Sequence, residues 1–234
     1  MAGARDGFRG FPADLFAFFR ELKAHNERPW FEANKERFKE SVQGPMSEFI
    51  AAMAPRLARV SKNFIADPRP NGGSMFRIYR DIRFARDKRP YKEHAACQFR
   101  HRAGRDAHAP GFYVHLAPGE VFFGGGLWMP EPDALFKVRA AIATKSPQWR
   151  RASSGKDFAR RFKEVEGEAL TRPPKGFDPE HPAIADLKRK SFYVMQASSE
   201  KAALSKTFVE EVAGAFKAAS PLMRFLCDAV GVAG

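Results

Sequence analysis

The sequence predicts an α+β fold with N-terminal helices, a central and mainly antiparallel sheet, and C-terminal helices packed on it. Two observations carry this. Apolar residues recur at helical spacing through residue 62, switch to a period of two between about 74 and 124, and return to helical spacing after the GGGLWMPEP loop. The connections in the middle third are short, which favours antiparallel pairing, because parallel neighbours need a crossover of a dozen or more residues. With 234 residues, the expectation is a flexible N-terminus over 1–10 and a single α+β domain over 11–230. That domain divides into a helical part (11–62), a sheet-rich part (74–130) and a mixed, largely helical part (131–230).

Each element has its own signature. In FPADLFAFFRELKAHN, Leu15, Phe18, Phe19 and Leu22 follow the i, i+3, i+4, i+7 template of an amphipathic helix. Asn26 marks a break, and Pro29 suits the first turn of a second helix, PWFEANKERFKESV. A third helix follows Pro45, with Phe49, Ile50, Met53, Leu57 and Val60 inward, and Pro55 is expected to kink or split it. FYVHL alternates Phe112, Val114 and Leu116 against Tyr113 and His115, and forms a hairpin with EVFFGG across the turn APGE. HAACQFRH and MFRIYRDIRF are further strand candidates. Leu135, Val138 and Ile142 share a helix face. The proline-rich TRPPKGFDPEHP over 171–182 is extended or turn-like, as a linker or as a fixed covering loop. LKRKSFYVMQAS is a possible last strand. Two closing helices rest on Leu204, Phe208, Val212 and Phe216, and on Leu222, Phe225 and Leu226.

Composition narrows the function classes. Forty Lys and Arg against 27 Asp and Glu give a net charge of +13, a balance suited to phosphates, nucleic acid or an anionic surface. Cys97 and Cys227 lie 130 positions apart with no CxxC pair, which indicates neither a disulfide framework nor a zinc ribbon. The first residues lack an apolar leader core, and no apolar run approaches the roughly 20 residues of a membrane span. The expectation is a soluble, cytoplasmic protein without membrane insertion. FFGGGLWMP matches neither GxGxxG nor GxxxxGK[ST], so no dinucleotide or P-loop motif is present and no cofactor is indicated. Its glycines could bring backbone N–H groups against phosphate, or mark a bulge or close backbone packing. Trp128 beside them is core or a platform next to a site.

The strongest local signal is MFRIYRDIRFARDKRPYKEH, where Arg77, Arg80, Arg83, Arg86 and Arg89 stand three apart. A three-residue step turns a helix by about 300°, so five arginines drift through about 240° and form no stripe. On a strand, successive members land on opposite faces. Strand alternation puts Phe76, Ile78, Ile82 and Phe84 on one side, and Arg80 falls among them. Arg80 must therefore meet a buried carboxylate or be turned away by a bulge. After it, ARDKRP leaves the sheet as a loop. Seven cations between 77 and 92 face only Asp81 and Asp87. The surplus favours an external anion, held by Arg77, Arg80, Arg83, Lys88 and Lys92 with Tyr91 and His94 at its edge. Asp81, Asp87 and His94 are the candidates for catalysis, His94 as general acid or base. Asp81, Asp87 and Glu93 could bind Mg²⁺ beside phosphate, but they have no known signature spacing and are better explained as ion-pair partners. Tyr79 and Tyr91 are the candidates for stacking.

His94, His101, His108 and His115 recur every seven residues, but Gly104, Pro110 and Gly111 preclude one helix through them, and no metal site is expected.

RIYRDIRFARDKRPYKEH, together with HNERPWFEANKERF, FYVHLAPGEVFFGGGLWMPEPDALFKVRAAI and PPKGFDPEHP, closely resembles the family of conserved hypothetical proteins called domain of unknown function 2461. The resemblance spans roughly residues 10 to 228. It implies a single α+β unit and brings no established activity and no catalytic residue. The family commonly has two asparagines where this chain has His25 and Asn26, while Asn26 and Trp30 match.

The leading expectation is a basic pocket for a phosphorylated or carboxylated small molecule, with phosphoryl or nucleotide chemistry left open. One alternative is a nucleic-acid-binding module whose broad basic face includes Arg150, Arg151, Arg160, Arg161 and Lys163. Another is a structural or partner-binding protein whose arginines are internally paired.

Overall fold

A computed structural model describes residues 7–104 and 110–234. Helices α1 (Ala13–Ala24), α2 (Arg28–Ala33), α3 (Lys35–Phe38) and α4 (Gly44–Val60) come first, with a π-helical turn over Lys39–Gln43. Strands β1 (Ala95–Arg100), β2 (Gly111–Ala117) and β3 (Glu120–Leu127) follow, then α5 (Pro132–Thr144), α6 (Ser146–Ser154), α7 (Lys156–Ala159) and α8 (Ile184–Leu187). Strand β4 (Phe192–Ser198), a single turn α9 (Glu200–Ala203) and the long α10 (Phe208–Val230) complete the chain. The four strands lie in the order β1-β2-β3-β4, every neighbouring pair antiparallel. The α+β architecture is therefore the one the sequence predicts.

The amphipathic helix over 13–24 forms because its periodic residues have somewhere to go: Leu15, Phe16, Phe18, Phe19 and Leu22 are all buried. Arg37 ties α3 back to α1 through Asp14 and Glu21. The segment expected as one second helix is broken instead into α2, α3 and the π-helical turn. Pro55 does not split α4. The carbonyl it leaves without a helical partner belongs to Ala51, an exposed residue on the solvent side, while Met53 and Leu57 hold the helix to the core. The same reasoning corrects the C-terminus, where one helix of 23 residues runs through Pro221 in place of two. Lys217, four residues before that proline, is exposed, and Val212, Phe216, Leu222 and Leu226 are buried along one face.

The β2–β3 hairpin closes through Pro118 and Gly119, with Ala117 paired to Glu120. Gly119 takes φ 76°, a conformation glycine adopts without penalty. One sheet face carries Cys97, Phe99, Phe112, Val114, Leu116, Phe123 and Val194, all fully buried against helices. Helix α10 lies on this face and contacts β3, α4, α5 and α6. Phe216 of α10 stacks on Phe112 at 4.4 Å. Both cysteines are free thiols within this core.

Both sheet edges are covered, which blunts their tendency to pair with other chains. Along β1, the Phe76 N–H donates to the Ala96 carbonyl at 3.0 Å and the Gln98 N–H to the Ser74 carbonyl at 2.8 Å. Along β4, the Glu166 N–H donates to the Tyr193 carbonyl at 2.7 Å. MFRIYRDIRF is not a strand: only isolated bridges at Met75 and Tyr79 form within it.

Of the N-terminal residues expected to be flexible, 1–6 lie outside the described residues. Phe8 packs against Phe11 and Phe49 with ring centroids 5.0 and 5.3 Å away. The proline-rich stretch over 171–182 is a covering segment, since Phe177 packs on Phe136 at 5.8 Å and the His181 ring meets the Ala143 carbonyl. Among the described residues no helix is long and apolar enough to cross a membrane.

Candidate functional site

The helices cover one face of the sheet, and strand alternation determines what its other face presents. Ala96, Gln98, Tyr113, His115, Phe122, Tyr193 and Met195 fall there, as do Gly111, Gly124 and Gly126. The three consecutive glycines lie inside β3 and not in a loop after it. Close packing explains them. A Cβ on Gly124 or Gly126 would be driven into the backbone of β4, at the carbonyls of Val194 and Phe192. One on Gly125 would come within 2.6 Å of the Phe112 ring on the core side. A consequence is that part of this face has no side chains at all. A cavity of about 340 Å³ opens over it, walled by Phe76, Tyr113, Phe122, Trp128, Tyr193 and Met195. The Trp128 ring lies 5.1 Å from Tyr193, and the Phe76 ring 6.1 Å from Tyr113.

At one end of this face stand two histidines. His115 stacks on Phe122 at 4.6 Å and 7°, and His94 lies 4.3 Å from His115. The Tyr113 hydroxyl is 3.0 Å from Nδ1 of His115, whose Nε2 is 3.9 Å from the Glu120 carboxylate. Burial pushes the Tyr113 phenol up, so it stays a hydroxyl. The arrangement that serves both ring nitrogens has Tyr113 donating to Nδ1 and the ring proton on Nε2, facing Glu120. Burial holds His115 down to about 4. His94 is likewise held at about 4, first by burial and then by the neighbouring His115 and Lys92. Both are neutral at pH 7.

This pair predicts a pH dependence. The folded pKa values lie below the ordinary 6.5, so the unfolded chain takes up protons that the folded chain refuses. Above pH 6.5 the histidines add no pH dependence, and below it stability falls until pH reaches about 4. The slope reaches at most about 1.4 kcal/mol per pH unit for each histidine. Urea unfolding between pH 7 and 4.5 should show it, and His115→Gln should flatten the curve. An unchanged slope in the variant would refute the assignment.

A second depression of about 290 Å³ adjoins the cavity and shares Phe76 and Gln98 with it. Arg77 and Arg100 line it, beside the turn through Asn71, Gly72 and Gly73. Arg77 is exposed, and among the described residues its side chain has no hydrogen-bond or ion-pair partner. Lys92 donates to the Arg77 carbonyl at 2.8 Å and sits 5.3 Å over the Phe76 ring. Burial, then the charge of Arg77, lowers its pKa.

The other predicted residues are placed differently. Arg80 meets Asp87 at 2.8 Å and the Arg89 carbonyl at 3.0 Å. Its partner is a half-exposed carboxylate, neither a buried one nor a bulge. Arg83 pairs with Asp81 at 2.7 Å, and Arg89 bridges Asp87 and Glu93. Lys88 donates to the Ile82 carbonyl at 3.0 Å. The Arg83 guanidinium holds Asp81 down to about 2. Arg89 first, with Arg80, holds Asp87 well below the usual carboxylate range. Both carboxylates are fixed as anions at neutral pH, and neither has a proton to give. Tyr91 is buried at 2% exposure, stacked on Phe31 at 4.2 Å, so its ring faces the core. Asn26 clasps its backbone, donating to the Tyr91 carbonyl at 3.0 Å and accepting from the Tyr91 N–H at 3.1 Å. Arg77, Lys92 and His94 thus border the open face, whereas Arg80, Arg83, Lys88, Asp81 and Asp87 form a loop paired within itself.

Of the seven-residue histidine series, His101 is buried away from this face against the Ala233 carbonyl, and His108 lies outside the described residues. Among the described residues no group of three or more His, Cys, Asp or Glu could hold a metal ion. Tyr113, Phe122, Tyr193 and Gln98 were not singled out from sequence. The available signal was the alternation that puts Tyr113 and His115 opposite the core residues of β2.

Fold and site together define an α+β protein in which the sheet face opposite the helices holds an aromatic cavity with cations at its edge. The family described as conserved hypothetical protein (DUF2461) matches residues 14–225, and the chain belongs to that family. The match takes in all four stretches on which the resemblance rests. A search of the curated proteins found no match.

Proposed function

We propose that this protein binds a small phosphorylated or carboxylated ligand where Arg77 and Lys92 border the open-face cavity. The observation that carries this reading is the exposed Arg77, without a partner among the described residues, lining a depression of about 290 Å³ that shares Phe76 and Gln98 with the aromatic cavity. A guanidinium offers a planar fork that matches carboxylate or phosphate oxygens, and Lys92 adds a half-buried point charge. Arg80, Arg83 and Lys88 play a smaller part in this version of the site, because each already has a partner. The test is a thermal-shift and calorimetric titration with inorganic phosphate, phenyl phosphate and benzoate. Arg77→Ala should weaken binding about tenfold, the effect of losing one charged hydrogen bond. Arg83→Ala should leave binding unchanged. Equal loss in both variants, or no binding in the parent, would sink the reading.

A second reading, of nucleic-acid binding, has its own support. Arg150, Arg151, Arg160, Arg161 and Lys163 are all exposed. Arg160, Arg161 and Lys217 line a broad depression of about 670 Å³ between α7 and α10. On this reading, log affinity for duplex DNA falls against log salt with a slope near 0.9 per phosphate neutralised. Fluorescence anisotropy from 50 to 200 mM salt checks it, and a flat profile counts against it. The internally paired arginines of the 80–89 loop favour a structural role for that segment alongside either reading.

A further inference from the structure

Resting on the proposed anion site, we infer that the ligand carries a planar aromatic or heteroaromatic ring, seated over the glycine floor of β3 with its anionic group toward Arg77. The floor consists of Gly125 and Gly126, with Gly111 of β2 beside them, so that backbone alone lines this part of the cavity. Around it stand Phe76, Tyr113, Phe122, Trp128 and Tyr193. A space walled by aromatic rings and floored by backbone without side chains suits a flat guest better than a branched chain, and offset or edge contacts with such rings favour an aromatic one. Its volume of about 340 Å³ lies at the lower end of the range for small-molecule pockets, enough for one or two fused rings. Trp128 is 51% exposed at the mouth and packs on Tyr193, a position from which it can cover a guest.

The cationic end is not separate from the aromatic one. Phe76 lines both depressions, and Arg77 follows it in the chain. Lys92 Nζ sits over the Phe76 ring, 5.3 Å from its centroid. A ligand with an acid group attached to its ring therefore meets cation and aromatic wall at once. Aryl phosphates, aryl carboxylates and nucleotides share this chemistry.

The experiment titrates the full chain with inorganic phosphate, phenyl phosphate, a nucleoside 5′-monophosphate and uncharged indole, following intrinsic fluorescence and heat. Trp149 is buried in the core and Trp30 half-buried, so a guest at the mouth is reported by Trp128. Phenyl phosphate or the nucleotide should bind at least tenfold more tightly than phosphate and quench Trp128, the tighter of the two showing which ring the site takes. Met195→Trp, which fills the cavity, and the milder Trp128→Leu should each abolish that tenfold advantage while leaving phosphate affinity within twofold. Equal affinity for phosphate and phenyl phosphate, both dependent on Arg77, overturns the ring subsite and leaves the anion site standing. Indole binding as tightly as phenyl phosphate, with no effect of Arg77→Ala, upholds the ring subsite and overturns the anion site. No binding by any probe overturns both.

Discussion

Gly124→Ala should destabilise the protein by about 3 kcal/mol or more, the range reached when added volume forces backbone shifts in a packed interior. A Cβ at this position would meet the Val194 carbonyl oxygen and carbon, with the Met195 sulfur 2.9 Å away. The first two are backbone atoms of the paired strand and cannot swing aside as a side chain would. Relief requires β3 and β4 to separate, which lengthens ladder hydrogen bonds on both sides of the Gly124–Met195 pair. Because β3 also packs on α10, the distortion reaches the core. Gly119→Ala is the informative contrast. It has open space around its Cβ but φ 76°, so its cost is the left-handed backbone penalty of about 1–2 kcal/mol. Urea unfolding of both variants tests the difference. If Gly124→Ala costs no more than Gly119→Ala, the close approach of β3 to β4 is not what requires glycine there.

The sequence reported the parts of this fold where one physical rule governs a long stretch. The spacing of Leu15, Phe18, Phe19 and Leu22 gave α1 because burial of one helix face was the only demand on those residues. The β2–β3 hairpin was legible because alternation and turn chemistry agreed. The arginine stretch misled because its apolar residues alternate while its aspartates follow another rule. In RDIR and in RDKR, the aspartate accepts the backbone N–H of the arginine two positions on and clasps that arginine's guanidinium. Asp67 and Arg69 repeat the motif. Such local bonds compete directly with a strand ladder, and here they win: Phe84, due on an apolar face, is 95% exposed. Four of the five arginines thus owe their three-residue spacing to two copies of R-D-x-R six residues apart, and Arg77 lies outside both. The candidate site was less legible still, since it depends on which sheet face the helices leave uncovered. That is settled by long-range packing, and alternation alone shows only that Tyr113 and His115 share a face.

Tyr91→Ala should cost about 3–5 kcal/mol, the usual range for truncating a fully buried aromatic ring. The residue stands at the close of the arginine loop, two positions after Arg89, yet only 2% of it is exposed. Its ring stacks on Phe31 at 4.2 Å and packs beside Tyr79 at 5.5 Å, while Asn26 holds its N–H and carbonyl. The self-paired loop is therefore anchored to the helical layer through one aromatic plug, and its exposed ion pairs contribute little beside that. Tyr91→Phe keeps the stack and should cost less than about 1 kcal/mol. Asp87→Ala, which removes the shared partner of Arg80 and Arg89, should stay closer to the phenylalanine variant than to the alanine one. Thermal and urea unfolding of the three variants decide between plug and ion pairs. An Asp87→Ala loss as large as that of Tyr91→Ala would show that the loop is held by its charges. In that event Arg77, which has no partner among the described residues, would also stand in a charge network whose disturbance reaches the cavity. If the plug dominates, Arg83 and Lys88 can be replaced without moving Phe76 or Lys92. The loop and the open sheet face can then be tested as independent parts of the molecule.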